Sequence, residues 1–560
     1  MGAVMSATSR TPSLVRATGL IAVVTVLARL AGFARYLVFG GSVGAGEIGT
    51  AYASANLVPS VVFEVAAGGA LASMVIPLIA GLLDEPSRPR EGGSRVAPRE
   101  NASSIVSALL TWSVLLTLLL ALVLWALAPT LARAILGTGA QAADAAAIDL
   151  GARLMRVFAL QLPFYAITIV LGAYLQARRR FLWPALAPLI SSLVVMATYG
   201  LYALTAPVGV SAGTLSNLSE AALGWGTTLG VVAMAVCVVF PALRSGFVYT
   251  PQLALTRGVR AHALGLAGSG VATVGAQQLT TALILALSVR AGGTGTLPLL
   301  QYGQAVYLLP YAVLLVPVMT SVFPELSELR ALGDRAKFSA LTLRSVQAVV
   351  AFAAVGGAAL WGAGLPIDKF FVAIDRAGIR GVGAVTAALA TGLIAYGIVM
   401  LTARVLNAAL RPGESLAIGA TGWGIAGMLI LVTVVTSPPR STATAGVLFG
   451  LCISIGMWIA AIGGLNILRE RIMVREHVRP LFTTVLASVV ASALGSIAGL
   501  ALAQLASDAF RGAWGALVLG LGTGAAGAAV CLGVLMIADR SLAAPIVKLG
   551  ARIVKATKKG

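Results

Sequence analysis

Residues 17–39 read ATGLIAVVTVLARLAGFARYLVF, an apolar run interrupted only by Arg29 and Arg35. Such a run crosses a bilayer as one helix, because about 20 apolar residues span the hydrocarbon core. Arg29 lies twelve residues beyond Ala17, roughly 18 Å along a helix, which puts it near mid-membrane if the helix starts there. The preceding residues are polar and carry Arg10 and Arg16, and no small-residue cleavage site follows the run, so we read it as a retained first span rather than a removed signal peptide.

The same pattern recurs along all 560 residues, of which 59% are apolar and only 10% charged. Mean hydropathy is +0.96. Breaks at charges, Pro and Gly divide the chain into candidate spans at 17–39, 49–83, 104–136, 153–177, 182–205, 222–242, 263–289, 297–324, 344–365, 385–409, 414–437, 442–468, 481–506 and 513–538. The expected fold is an all-α polytopic membrane protein of about fourteen transmembrane helices.

The formal net charge of +20 advertises basic loops rather than a nucleic-acid surface, since no polar domain gathers the cations. Sorting the 39 Lys and Arg into alternate loops puts 27 on the side of the N-terminal tail, including Arg88 to Arg99, Arg178 to Arg180, Arg469 to Arg479 and the C-terminal tail. Seven fall opposite: Arg153, Arg290, Lys369, Arg376, Arg380, Arg440 and Arg511, with Asp144, Asp149 and Asp375 beside several of them. By the positive-inside rule both termini face the cytoplasm of a bacterial inner membrane. The amphipathic stretches 325–343 and 541–557 are expected to lie on the anionic cytoplasmic leaflet.

Span two carries Pro59 and Pro77, and span eight carries Pro310 and Pro324 in matching places. Six spans separate them, so the copies enter the membrane in the same direction. That predicts two six-helix lobes, 1–242 and 243–468, with two further helices and a basic tail in 469–560.

An arginine in mid-membrane costs several kcal/mol if it faces lipid. Arg29 therefore faces either a wet cavity, where its planar fork suits phosphate oxygens, or a buried partner, for which Glu64 on span two is available. Arg35 lies six residues on, about 600° of helical turn, so a straight helix does not put both on one face. It either joins the cavity or snorkels to the interface. Arg404 in span ten and Arg290 at the end of span seven are further candidates for anion contact. Gln277, Gln278 and Thr280 fit interhelical hydrogen bonding, or contact with a cation or headgroup.

Catalytic patterns do not appear: His262 and His477 sit near basic loops, and no HExxH, Walker or dinucleotide pattern occurs. Cys237, Cys452 and Cys531 lie singly in apolar runs and read as packing residues. We expect a transporter rather than an enzyme, with no cofactor, and with coupling to a monovalent cation or the membrane potential left open.

The stretch Ala28 to Arg35 resembles the S-R-x-x-G-F-x-R opening of the MurJ/MviN lipid II flippases, in the multidrug/oligosaccharidyl-lipid/polysaccharide exporter superfamily. Asn56 to Pro77 with Gly68-Gly69-Ala70, Gly172 to Pro188 with its R-F-x-x-P-A-x-x-P pattern, and Tyr307 to Leu314 are similar to other parts of that family. The resemblance implies two lobes around a cavity, a groove for a polyprenyl tail made with the last two helices, and alternating access that carries a pyrophosphate-sugar headgroup outward. It implies cavity roles for Arg29 and Arg35. The chain departs from the pattern at Thr50, at Phe63-Glu64 and at Ala305, where many members have an acid, a basic pair and an arginine.

The expected partners are thus a lipid-linked glycan, membrane lipids and cell-wall synthesis or division proteins, with no nucleic acid. The competing functions are export of another lipid-linked oligosaccharide, cation-coupled drug antiport, and a transport-inactive scaffold for cell-wall synthesis.

Overall fold

A backbone buried in lipid has no water to bond with, so apolar runs of this length satisfy their own N–H and C=O groups as helices. The computed structural model describes residues 12–65, 98–139, 142–253, 257–439 and 441–538, with side chains from 23, 103 and 274 onward in the first, second and fourth of these stretches. The described residues are helical, with no strand among them.

The first group of helices comprises α1 (Pro12–Ser42), α2 (Glu47–Phe63), α3 (Pro98–Leu136), α4 (Ala145–Ala159), α5 (Gln161–Ala177), α6 (Leu182–Thr205) and α7 (Asn217–Arg244). The second comprises α8 (Arg257–Gly292), α9 (Thr296–Pro310), α10 (Val316–Ala331), α11 (Arg335–Gly362), α12 (Gly364–Ile374), α13 (Val382–Ala390) and α14 (Leu393–Ala408), then α15 (Pro412–Thr436), α16 (Thr442–Arg471), α17 (Arg475–Ala506) and α18 (Gly512–Ala538). Helices pack chiefly within their own group, as α1 with α6 and α6 with α7, or α11 with α17 and α18. The groups meet where α1 and α2 face α9 and where α2 and α3 face α8. We call the end where α1 begins the near end, and the end where it stops, at Ser42, the far end.

Eleven helical stretches among the described residues are long and apolar enough to cross a membrane, α4 with α5 and α9 with α10 each making one, and the pair α13 and α14, bent by 49°, makes twelve. The other two expected spans, 49–83 and 263–289, fall partly on residues outside the described side chains.

Three boundaries differ from the sequence expectation. The span placed at 153–177 begins at Ala145 as α4 and turns at Leu160 into α5. Its first turns alternate polar and apolar faces, which hydropathy averages away. The short helix α12 falls in a stretch taken as loop, because eleven residues are too few to register as a span. The stretch 325–343 is the end of α10 and the start of α11, joined by a turn at Leu332–Asp334, rather than one surface helix. The stretch 541–557 lies outside the described residues.

Both proline-bearing helices change register where the sequence marks them. A proline removes one backbone donor, and a wider turn absorbs the mismatch. After Pro310 the chain makes a π segment, Tyr311–Leu315, before α10 resumes; after Pro59 residues Glu64 and Val65 are likewise π. Pro77 lies outside the described residues.

Candidate functional site

The stripe Thr25, Ala28, Arg29, Gly32 and Tyr36 runs along one face of α1, at spacings of three and four residues. It lines a cavity of about 660 Å³ between the two groups, walled by α2, α5, α6 and α7 on one side and by Ala305, Leu308, Leu309 and Ala312 on the other. Gly32 leaves open space where a Cβ would stand. Arg35 sits on the flank of this stripe, yet its long side chain also lines the cavity, with its guanidinium 5.7 Å from the ring centre of Tyr36. Two arginines about 120° apart on the helix thus share one chamber.

Asn56, Ser60, Tyr165, Ser191, Ser192 and Thr227 supply neutral hydrogen-bonding groups around them, and among the described residues the lining contains no Asp or Glu. Among the described residues neither arginine forms an ion pair, and Arg29 and Glu64 are not paired. The buried-pair alternative for Arg29 is therefore not realised. Arg29 is solvent-exposed and Arg35 half-buried.

Beyond Arg35 the chamber narrows to a pocket of about 160 Å³ lined by Phe39, Tyr52, Tyr199 and Gln301 among others. Its floor is a polar network inside an apolar core. The Tyr52 hydroxyl lies 2.7 Å from that of Tyr199 and 2.9 Å from Thr227 Oγ1. Gln161 donates to Thr228 Oγ1 at 3.1 Å and accepts from the Tyr165 hydroxyl at 2.9 Å. Buried polar groups are stable only when bonded in this way.

Arg404 on α14 faces the same region from the second group. Arg29 and Arg404 both lie within electrostatic reach of the Tyr311 and Tyr396 hydroxyls. Arg404 Nη1 is buried with no hydrogen-bond partner among the described residues. Glu64, at the π turn of α2, is half-buried and outside the cavity lining. Arg290 stands at the far end of α8, exposed, its backbone against Gly139. The structure thus brings Arg29 and Arg35 into one chamber, sets Arg404 near the same tyrosines as Arg29, and leaves Glu64 and Arg290 apart. Thr280 Oγ1 donates to the Trp423 carbonyl at 2.8 Å, joining α8 to α15 as its interhelical role requires.

Tyr52, Tyr199, Tyr311 and Tyr396 were not singled out from sequence, though hydroxyls embedded in apolar runs were a usable signal. Asp375 and Arg376 were read only as loop charges. They link the two groups at the far end: Asp375, 6% exposed, accepts from the Ala45 N–H, and Arg376 Nη1 donates to the Ser42 carbonyl at 2.7 Å.

Two helix groups joined at one end, around a cationic chamber whose lining holds no carboxylate among the described residues, define a multi-pass membrane transporter. Residues 41–514 match the family model described as lipid II flippase MurJ. The chain belongs to the lipid II flippase MurJ family. It is 25% identical over 405 residues to the probable lipid II flippase MurJ of Rhizobium tropici, covering 70% of this chain and 68% of that protein. Among solved structures it is similar to the inward closed conformation of a lipid II flippase MurJ, with a TM-score of 0.69 at 19% identity, covering 93% of this chain and 99% of that one. An inward-facing MATE-family multidrug transporter of the MOP superfamily matches with a TM-score of 0.61 at 14% identity over 80% of this chain and 94% of that one.

Proposed function

We propose that this protein flips lipid II, a polyprenyl-pyrophosphate-linked peptidoglycan precursor, from the inner to the outer leaflet of the bacterial plasma membrane. The observation that carries this reading is the pair Arg29 and Arg35, without an ion-pair partner among the described residues and facing a chamber whose described lining holds no carboxylate. Guanidinium forks bind diphosphate oxygens bidentately, and they bind more strongly where water is partly excluded. Arg404, whose Nη1 lacks a partner, approaches the same anion from the second group. The hydroxyls and amide of Asn56, Ser60, Ser191 and Ser192 suit the sugars.

Rocking of two lobes about this chamber gives alternating access, with both termini in the cytoplasm and the far end outside, as the loop charges require. A monovalent cation or the membrane potential supplies direction, since a charged cavity that changes sides works against or with that field. Cell-wall synthesis enzymes on the outer face consume the product. Cationic-drug antiport calls for cavity carboxylates, which the described lining lacks.

The test is a labelled lipid II flipping assay in cells depleted of the native protein. Cells carrying this chain restore surface-accessible lipid II, and cells carrying Arg29→Ala do not, at equal membrane abundance. Full flipping by Arg29→Ala removes the headgroup role, and unimpaired flipping in depleted cells leaves a scaffold.

A further inference from the structure

The hydrogen bonds that tie the first helix group to the second lie at the far end: one joins the Gly295 N–H, before α9, to Thr50 Oγ1 at 2.7 Å, and the others fall on the loop between α12 and α13. Arg376 Nη1 donates to the Ser42 carbonyl at 2.7 Å, its Nη2 donates to the Ala206 carbonyl, and its backbone N–H donates to the Gly40 carbonyl at 2.8 Å. The guanidinium also lies 5.8 Å from the ring centre of Tyr202. A single residue of the second group thus grips the ends of α1 and α6.

Asp375 plays a different part. Its carboxylate accepts from the Tyr302 hydroxyl at 2.9 Å and from the Ala377 N–H at 2.9 Å, both in its own group. Across the divide it accepts only from the Ala45 N–H, at 3.1 Å. A buried carboxylate needs such donors. Because most of them belong to its own group, Asp375 stays satisfied when the groups part, and it fixes the turn that aims Arg376.

Among the described residues the first group meets this loop with main-chain atoms and the Tyr202 ring but no charged side chain, so close approach is its requirement. Gly44 has φ of +79°, and a Cβ there would stand 2.8 Å from Ala377 N and 3.0 Å from Arg376 Cβ.

We propose that Arg376, aimed by Asp375, is a latch that holds the cavity closed at its outer mouth by gripping main-chain carbonyls of the opposite helix group, and that it must release before the cavity opens outward. Arg376 and Asp375 are positioning residues and do not touch substrate. The inference rests on transport through this cavity for its consequence, but the contact and its test involve no lipid substrate.

The test places a single reporter cysteine in the cavity by Asn56→Cys and adds a membrane-impermeant maleimide to intact cells. Cys237, Cys452 and Cys531 are buried and give little background. A second reporter, Ser437→Cys, stands exposed in a far-end loop and labels at once if the far end is outside. With the latch intact the cavity reporter labels slowly. Arg376→Ala raises its rate by about tenfold or more, as expected for losing charge-assisted hydrogen bonds that bias a two-state equilibrium. Gly44→Ala does the same from the opposite side, and the double variant adds little, because both act on one contact. Arg376→Lys, which keeps the charge but loses the fork, falls between.

Unchanged cavity labelling in Arg376→Ala and Gly44→Ala, with the Ser437 reporter still labelled, overturns the latch. Should Arg376→Ala fail to reach the membrane, Arg376→Lys and Gly44→Ala carry the same decision. A negative flipping assay beside positive labelling results removes the lipid II reading and leaves the latch standing.

Discussion

At the scale of single residues, desolvation decides which charges matter. Arg29 was legible in the sequence because an arginine about 18 Å into an apolar run has few affordable surroundings. Truncating it or Arg35 removes charge-assisted hydrogen bonds of about 1.5–3 kcal/mol each. Arg29→Ala and Arg35→Ala should therefore each slow flipping at limiting substrate by roughly 10- to 100-fold, with membrane abundance unchanged on immunoblots. Arg376 was not legible in the same way. A cation in a polar loop looks solvated, and only the fold shows that its partners are carbonyls of another helix group. Asp334 gives a pH-dependent case outside the membrane. The Lys337 N–H, and then the Lys337 ammonium 2.9 Å away, hold its carboxyl below the usual carboxylate range. Its contribution is therefore complete at neutral pH and is lost as pH falls through that lowered value. The melting temperature of Asp334→Asn should lie slightly below that of the parent at pH 7, and the two should converge in acid.

At the scale of elements, hydropathy located helices well and their breaks unevenly. The π segment after Pro310 and the register change after Pro59 were marked by proline, although Pro129, Pro188 and Pro241 sit inside helices with no such change. The start of α4 was hidden because its turns carry a polar face, where Arg153 pairs with Glu220 at 2.7 Å. The polar floor under the cavity was hidden for another reason: Tyr52, Tyr199 and Thr227 are distant in sequence and only folding brings their hydroxyls together. Tyr52→Phe should cost about 1–2 kcal/mol through the unpaired partners it leaves, read as a lowered melting temperature in detergent. Helix packing on glycine is more demanding. A Cβ at Gly495 would stand 2.4 Å from the Gly527 carbonyl, and one at Gly499 2.6 Å from Gly362 Cα. Gly499→Leu should lower the yield of folded protein in size-exclusion chromatography, by a cost of about 3 kcal/mol or more.

At the scale of the whole molecule, two helix groups are tied at the far end and separated by a cationic chamber below it. The loop charges supply an orientation that the fold alone does not, and impermeant labelling of the far-end reporter Ser437→Cys checks it. The glycine contacts among α11, α17 and α18 have a consequence of their own. Backbones that touch leave no side-chain layer to slide over, so these three helices travel as a single stiff body. Paired spin labels across α11 and α17 would thus keep a constant separation through the cycle, while pairs across α1 and α9 widen and narrow. The protein carries its own yardstick, one fixed span against which every other displacement in the membrane can be measured.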